Sequence, residues 1–184
     1  MATLIVVAVV VLLIIICVGY IISTQRSLVN LDEMANNAMS QISVQLSSRW
    51  DAITALVKMT EKYSAHEAKT LTDVIAQRRQ GNVRTAEDVN AQQDAIGSVL
   101  SRLMAVSEQY PDLKAAELYQ TTMRDIKSYE ENVRMSRMVY NDSVTKINRM
   151  IRQFPSSFVA SMLHFTLRTY LEEEKSKKDF PTID

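Results

Sequence analysis

His66 is followed directly by Glu67, the opening of the His-Glu-x-x-His pattern with which a helix offers two imidazoles to zinc and a carboxylate to a water. The pattern stops there: Thr70 stands where the second imidazole belongs. A di-iron bundle needs Glu-x-x-His pairs on facing helices. The residues three before the two histidines, His66 and His164, are Tyr63 and Ser161, and neither side chain fills that role. The single cysteine, Cys17, lies inside an apolar run, so no intrachain disulfide, no cysteine zinc site and no Cys nucleophile is expected. The three glycines are not grouped into a loop that would cradle phosphate. No spacing places a Ser-His-Asp set. The reading is a protein that is not an enzyme, with no catalytic, cofactor-binding or metal residues.

The remaining polar residues of interest sit beside apolar stripes. Gln41, Gln45 and Arg49 recur at spacing four, so a helix carries them on one face. Glu131, Asn132, Arg134, Arg137 and Asn141 crowd a later segment. Gln41, Gln45, Arg49, Glu131, Asn132, Arg137 and Asn141 are therefore the candidate polar network, one that fixes helix register or binds a partner. The alternative is a wet groove flanking the core.

The elements that position these residues must be helices. With three Gly and three Pro in 184 residues, the chain can make few turns, and few turns mean long elements. From Thr24 to Arg79 there is no Gly and no Pro. Leu28, Leu31, Ala35, Ala38, Ile42, Leu46, Ile53 and Val57, then Leu71, Val74 and Ile75, recur at helical spacing. This predicts one very long helix, bent between Glu61 and Glu67 and continuous with the segment before it. Gly81-Asn82 ends it. Thr85-Ala86-Glu87-Asp88 reads as the N-cap of a second helix, running to Gln109 through Val89, Ile96, Val99, Leu100, Leu103 and Val106. Tyr110-Pro111-Asp112 starts a third, reaching Gln153 through Leu118, Ile126, Val133, Tyr140, Val144, Ile147 and Ile151. Phe154-Pro155 breaks it. Ser157 to Phe165 predicts a short fourth helix that buries Phe158, Val159, Met162 and Leu163. Short connections make neighbours antiparallel. The predicted fold class is all-α: an N-terminal transmembrane helix followed by an antiparallel up-and-down bundle of three long helices and a short fourth.

Leu4 to Ile22 carries no charge. About 19 residues at ~1.5 Å each span nearly 30 Å, the hydrocarbon thickness of a bilayer. The run is apolar in every direction, and in lipid only a helix satisfies such a backbone. Leu4, Ile14, Cys17, Tyr20 and Ile22 mark the anchor, with Tyr20 at the interfacial end. A cleaved signal would need a basic start, a shorter apolar stretch and a small-residue site, and none is present. Ile14, Ile15 and Ile16 before Cys17 do not suit lipoprotein processing. Arg26, after the span, is the first basic side chain, which favours the N-terminus outside and the body in the cytoplasm. The domains are then 1–24, a transmembrane anchor; 25–171, the helical bundle; and 172–184, a charged, solvated tail containing EEEKSKK. Charges balance at 21 basic and 21 acidic residues, which argues against a nucleic-acid partner. Ten methionines read first as helix-core filler.

Three blocks of sequence resemble the LemA family. The first is Asn37-Ala38-Met39-Ser40-Gln41-Ile42-Ser43-Val44-Gln45-Leu46-Ser47-Ser48-Arg49, with Leu56-Val57, Tyr63 and His66-Glu67 behind it. The second is Tyr110-Pro111-Asp112-Leu113-Lys114-Ala115, and the third Tyr140-Asn141, Asn148, Ile151-Arg152 and Phe154-Pro155-Ser156. Met39 stands where the family usually has an aromatic, and Ser136-Arg137-Met138 where it often has Ala-Arg-Arg, so packing there differs locally. The resemblance implies a LemA-like bundle of bromodomain-like up-and-down type, tethered by one helix to a bacterial membrane with its body cytoplasmic. It brings no activity; some members resemble accessory proteins of membrane zinc metalloproteases or membrane-remodelling factors.

The expected function is a non-enzymatic, single-pass scaffold at the bacterial inner membrane. Its expected partners are the lipid bilayer and further copies of itself, because part of a long first helix must cover its apolar stripe elsewhere. The second reading is an adaptor or regulator of another membrane protein, such as a membrane metalloprotease or sensor.

Overall fold

The computed structural model describes residues 1–78 and 83–171. Among them there is no strand, and six helices follow in order: α1 (Ala2–Thr60), α2 (Ala65–Arg78), α3 (Ala86–Gln109), α4 (Pro111–Ala115), α5 (Glu117–Arg152) and α6 (Ser156–Met162). The Gly81-Asn82 helix end and the charged tail from 172 lie outside the described residues.

α1 is a single helix through the apolar run and beyond it, as the absence of breakers predicts. It does not continue to Arg79. Tyr63 N–H and Ser64 N–H both bond to Thr60 C=O, and the Thr60 hydroxyl donates to Leu56 C=O, closing the helix. Ser64-Ala65-His66-Glu67 has the Ser-x-x-Glu pattern of a helix start. That local signal, rather than a Gly or Pro, replaces the expected bend with a break.

The expected third helix is likewise divided, at Ala116, whose φ −59° and ψ 126° are extended. Leu113 and Tyr119 are both buried on the two sides of this residue. In one unbroken helix positions six apart point about 120° from one another, at or beyond the edges of one buried stripe. The extended residue resets the phase. It also turns Leu118 outward, 63 % exposed, against the expected burial. From Tyr119 the buried row runs Thr122, Ile126, Val133, Tyr140, Val144 and Ile147 at spacings of three, four and seven.

α3 begins as expected. Thr85 is its N-cap and makes a reciprocal capping box with Asp88: Asp88 N–H donates to Thr85 Oγ1 and the Asp88 carboxylate accepts from Thr85 N–H. α6 ends in a Schellman-type turn, with Phe165 N–H on Ala160 C=O and His164 at φ 60°. Its burial departs from expectation. Val159 is buried and Leu163 half-buried, but Phe158 and Met162 are exposed.

The described residues sort into two compact units, each drawing on α1 and α5. One combines Met1–Asn36 with Tyr140–Thr169. Its core includes Leu28, Ala35, Val144, Ile147 and Val159. The other holds Asn37–Val139, with Tyr170 and Leu171 also assigned to it. Ala38, Ile42, Leu46, Trp50, Ile53, Leu56, Ile96, Val99, Leu103 and Ile126 are buried there. In that second unit α2 packs on α3 and α3 on α4. Paired positions on α1 and α5 move in opposite directions, Gln45 with Asn132 and Arg49 with Glu130, so the two helices are antiparallel over this stretch.

Candidate functional site: an apolar span and polar contacts between helices

Every residue from Met1 to Tyr20 is exposed. Leu4 is 74 % exposed and Ile14 56 %, with Cys17, Tyr20 and Ile22 likewise outward. A helix core in water would bury one side of such a run. Here nothing among the described residues covers it. Among the described residues α1 is the one helix long and apolar enough to cross a membrane, by length and composition.

The polar residues expected to act together are divided by the structure. Arg49, 6 % exposed at its side chain, reaches Glu130 at 3.4 Å; its acidic partner is not the neighbouring Glu131. Glu131 is turned outward and pairs with Arg134 on its own helix at 3.6 Å. One residue on a helix is a rotation of about 100°, which decides between the inner and outer face. Asn132 Nδ2 donates to Gln45 Oε1 at 3.4 Å. Arg137 turns to α3, donating to Gln93 Oε1 and to Asn90 Oδ1 at 3.2 Å. Gln41 is exposed, and Asn141 lies half-buried in the other unit.

Sequence reasoning missed the α3 acceptors Asn90 and Gln93, and also Gln92, which accepts from Trp50 Nε1 at 2.6 Å. The run Asn90-Ala91-Gln92-Gln93, with three amides on one turn of α3, was the available signal. In the other unit it missed Arg168. Its guanidinium bonds Asp32 at 2.7 Å and Asn36 at 2.9 Å, while its backbone N–H and C=O are both held by the Asn148 side chain at 2.9 Å. Tyr140 OH donates to Thr169 C=O at 3.2 Å. Two residues of the third sequence block, Tyr140 and Asn148, thus pin the segment after α6 to α5.

These arrangements hold helices together; they do not assemble a reacting group. No set of three His, Cys, Asp or Glu among the described residues is grouped to hold a metal. His66 is exposed on α2 and His164 exposed after α6. An open groove of about 410 Å³ lies between α3, α4 and α5, lined by Met104, Glu108, Lys114, Tyr119, Met123, Arg124 and Lys127 among others. Its cations would favour an anionic group, but its lining pairs no nucleophile with a base. The Asp88 carboxyl is displaced in its titration. The backbone N–H groups of Arg84 and Thr85 donate to its carboxylate and hold it below the usual aspartate range.

The family model described as LemA family matches residues 38–184. Magnetosome proteins MamQ 1 and MamQ 2 of Paramagnetospirillum magneticum, and Magnetosome protein MamQ of Magnetospirillum gryphiswaldense, are each 32 % identical to the chain over 87 residues. That stretch is 47 % of this chain and 32 % of theirs, so the match spans about a third of these relatives' length.

Proposed function

The chain belongs to the LemA family, and from that premise we propose that it is a non-enzymatic scaffold, anchored in the bacterial inner membrane by α1 and assembled there from several copies. The observation that carries the reading is the bare apolar run of α1: about 20 residues with no burial among the described residues and no charged side chain before Arg26. Such a surface is stable only in hydrocarbon or against other apolar helices. Arg26 follows the span, which favours an outside N-terminus and a cytoplasmic body. The cross-helix contacts of Arg49, Gln45, Asn132 and Arg137 serve register in this reading.

Self-assembly draws its support from apolar side chains left uncovered outside the span. Val29, Met34 and Val44 on α1, and Met135, Met138 and Val139 on α5, are all 40 % exposed or more. The test is the mass of the full-length protein purified in mild detergent. A single polypeptide species of several-fold monomer mass is expected. A strict monomer at all concentrations overturns the scaffold, and a stoichiometric second polypeptide replaces it with the adaptor reading.

A further inference from the structure

The unit formed by Met1–Asn36 and Tyr140–Thr169 begins to pack at a definite level on α1. Residues up to Tyr20 are exposed, Ile21 is half-buried, and Thr24 and Leu28 are buried. α5 runs antiparallel to α1 here. Ser27 Oγ lies 3.7 Å from Met150 Sδ, whereas Asn148, earlier on α5, is tied through Arg168 to Asp32 and Asn36, later on α1. α5 ends at Arg152, two positions beyond Met150, and Phe154 follows in the turn. At ~1.5 Å per residue the end of α5 is about 3 Å further toward the start of α1, level with Gln25. The turn from α5 into α6 therefore begins within about one helical turn of Ile22, where the apolar run ends.

The corner carries apolar side chains that the unit does not bury. Phe154 is 84 % exposed and Phe158 69 %. On α6, Ser156, Val159 and Ala160 face inward, and Phe158 with Met162, four apart, share the outer face. The charge at this level has one sign. Arg26, Arg149 and Arg152 are exposed, and no Asp or Glu occurs in residues 1–31 or 143–171. The nearest carboxylate along α1, Asp32, is engaged by Arg168. Aromatic side chains with arginines around them suit the boundary between acyl chains and anionic headgroups.

We propose that the α5–α6 corner is a second membrane contact, with Phe154 and Phe158 seated in the headgroup–acyl boundary of an anionic bilayer and Arg26, Arg149 and Arg152 against its phosphates. The proposal rests on the reading of α1 as a span, and it adds something a span lacks. One helix alone can tilt in any direction; two phenyl groups held to one side of it by the unit's contacts fix the side toward which it tilts and the depth at which the unit sits.

The test uses the full chain carrying Cys17→Ser, reconstituted in phosphatidylcholine vesicles with and without phosphatidylglycerol. Nitroxide labels are placed singly through Leu12→Cys, Met34→Cys, Phe154→Cys and Phe158→Cys, and collision with oxygen is compared with collision with a water-soluble nickel chelate. Phe154 and Phe158 are expected to show an oxygen preference at least half that of Leu12, with Met34 on the water side. Lipid-like values at Leu12 with water-like values at Phe154 and Phe158 overturn this proposal and leave the span standing. Water-like values at Leu12 overturn both. In vesicles containing phosphatidylglycerol, Arg149→Gln with Arg152→Gln lowers the oxygen preference at Phe158 toward its value without that lipid; an unchanged preference removes the headgroup assignment.

Discussion

Arg49 shows how one side chain joins burial to register. Its guanidinium is almost fully enclosed, and Glu130 meets it from the half-exposed side of α5. Replacing it by Ala leaves Glu130 without that cation and removes a side chain that the structure buries. Arg49→Ala is expected to destabilise the protein by about 1–3 kcal/mol, the range for stripping a buried polar partner. Chemical denaturation of the detergent-solubilised protein measures it, and an unchanged midpoint sinks the structural role. Asn148 works on the same scale without charge. One carboxamide satisfies both backbone groups of Arg168, so a segment with no helical ladder has its polar groups paired where it crosses α5.

At the scale of the element, starts and breaks carry the information. The Asp88 carboxylate closes the box at the head of α3, accepting from the N–H groups of Arg84 and Thr85. Its depressed folded-state titration fixes the sign of the pH effect. The stabilisation is fully present above the ordinary aspartate value of ~3.9 and is lost as pH falls through the lower folded value. Wild-type thermal stability should therefore exceed that of Asp88→Asn at neutral pH, with the difference shrinking on acidification below about pH 4. A difference that stays constant across that range would show that the carboxylate is not the group responsible. Gly97 sits inside the same helix with open space where a Cβ would be, and its φ is not in the left-handed region. Gly97→Ala is expected to stabilise α3 by about 0.5–1 kcal/mol, read as a raised denaturation midpoint.

For the whole molecule, the exposed apolar length of α1 sets behaviour in solution. The full chain should sediment with membranes and resist extraction by salt or alkali. A chain beginning at Thr24 should keep its helical circular dichroism, apart from the lost span. If the α5–α6 corner contacts lipid, this shortened chain should still bind anionic vesicles weakly and in a salt-sensitive way. Tight, salt-resistant binding of the shortened chain would remove the anchor from its central place. The magnetosome relatives enter at this scale only as a likeness over part of their length.

The sequence by itself determined what depends on local chemistry. The lack of Gly and Pro dictates long helices, the uncharged run Leu4 to Ile22 dictates an uncovered apolar helix, and Thr85 to Asp88 dictates the start of α3. The three sequence blocks carried the family. Even the break after Thr60 was legible, in Ser64 and Glu67, once a helix start is sought where no breaker stands. Only the tertiary structure decided which of two adjacent residues turns inward. Glu130 rather than Glu131 meets Arg49, Tyr119 rather than Leu118 is buried, and Phe158 faces out beside a buried Val159. Each of these choices turns on the phase of a helix, and a single extended residue such as Ala116 resets that phase for everything after it. Pairings such as Asp32 with Arg168 lie beyond sequence for the same reason: they depend on how far two helices have turned when they meet, a quantity that no residue type records.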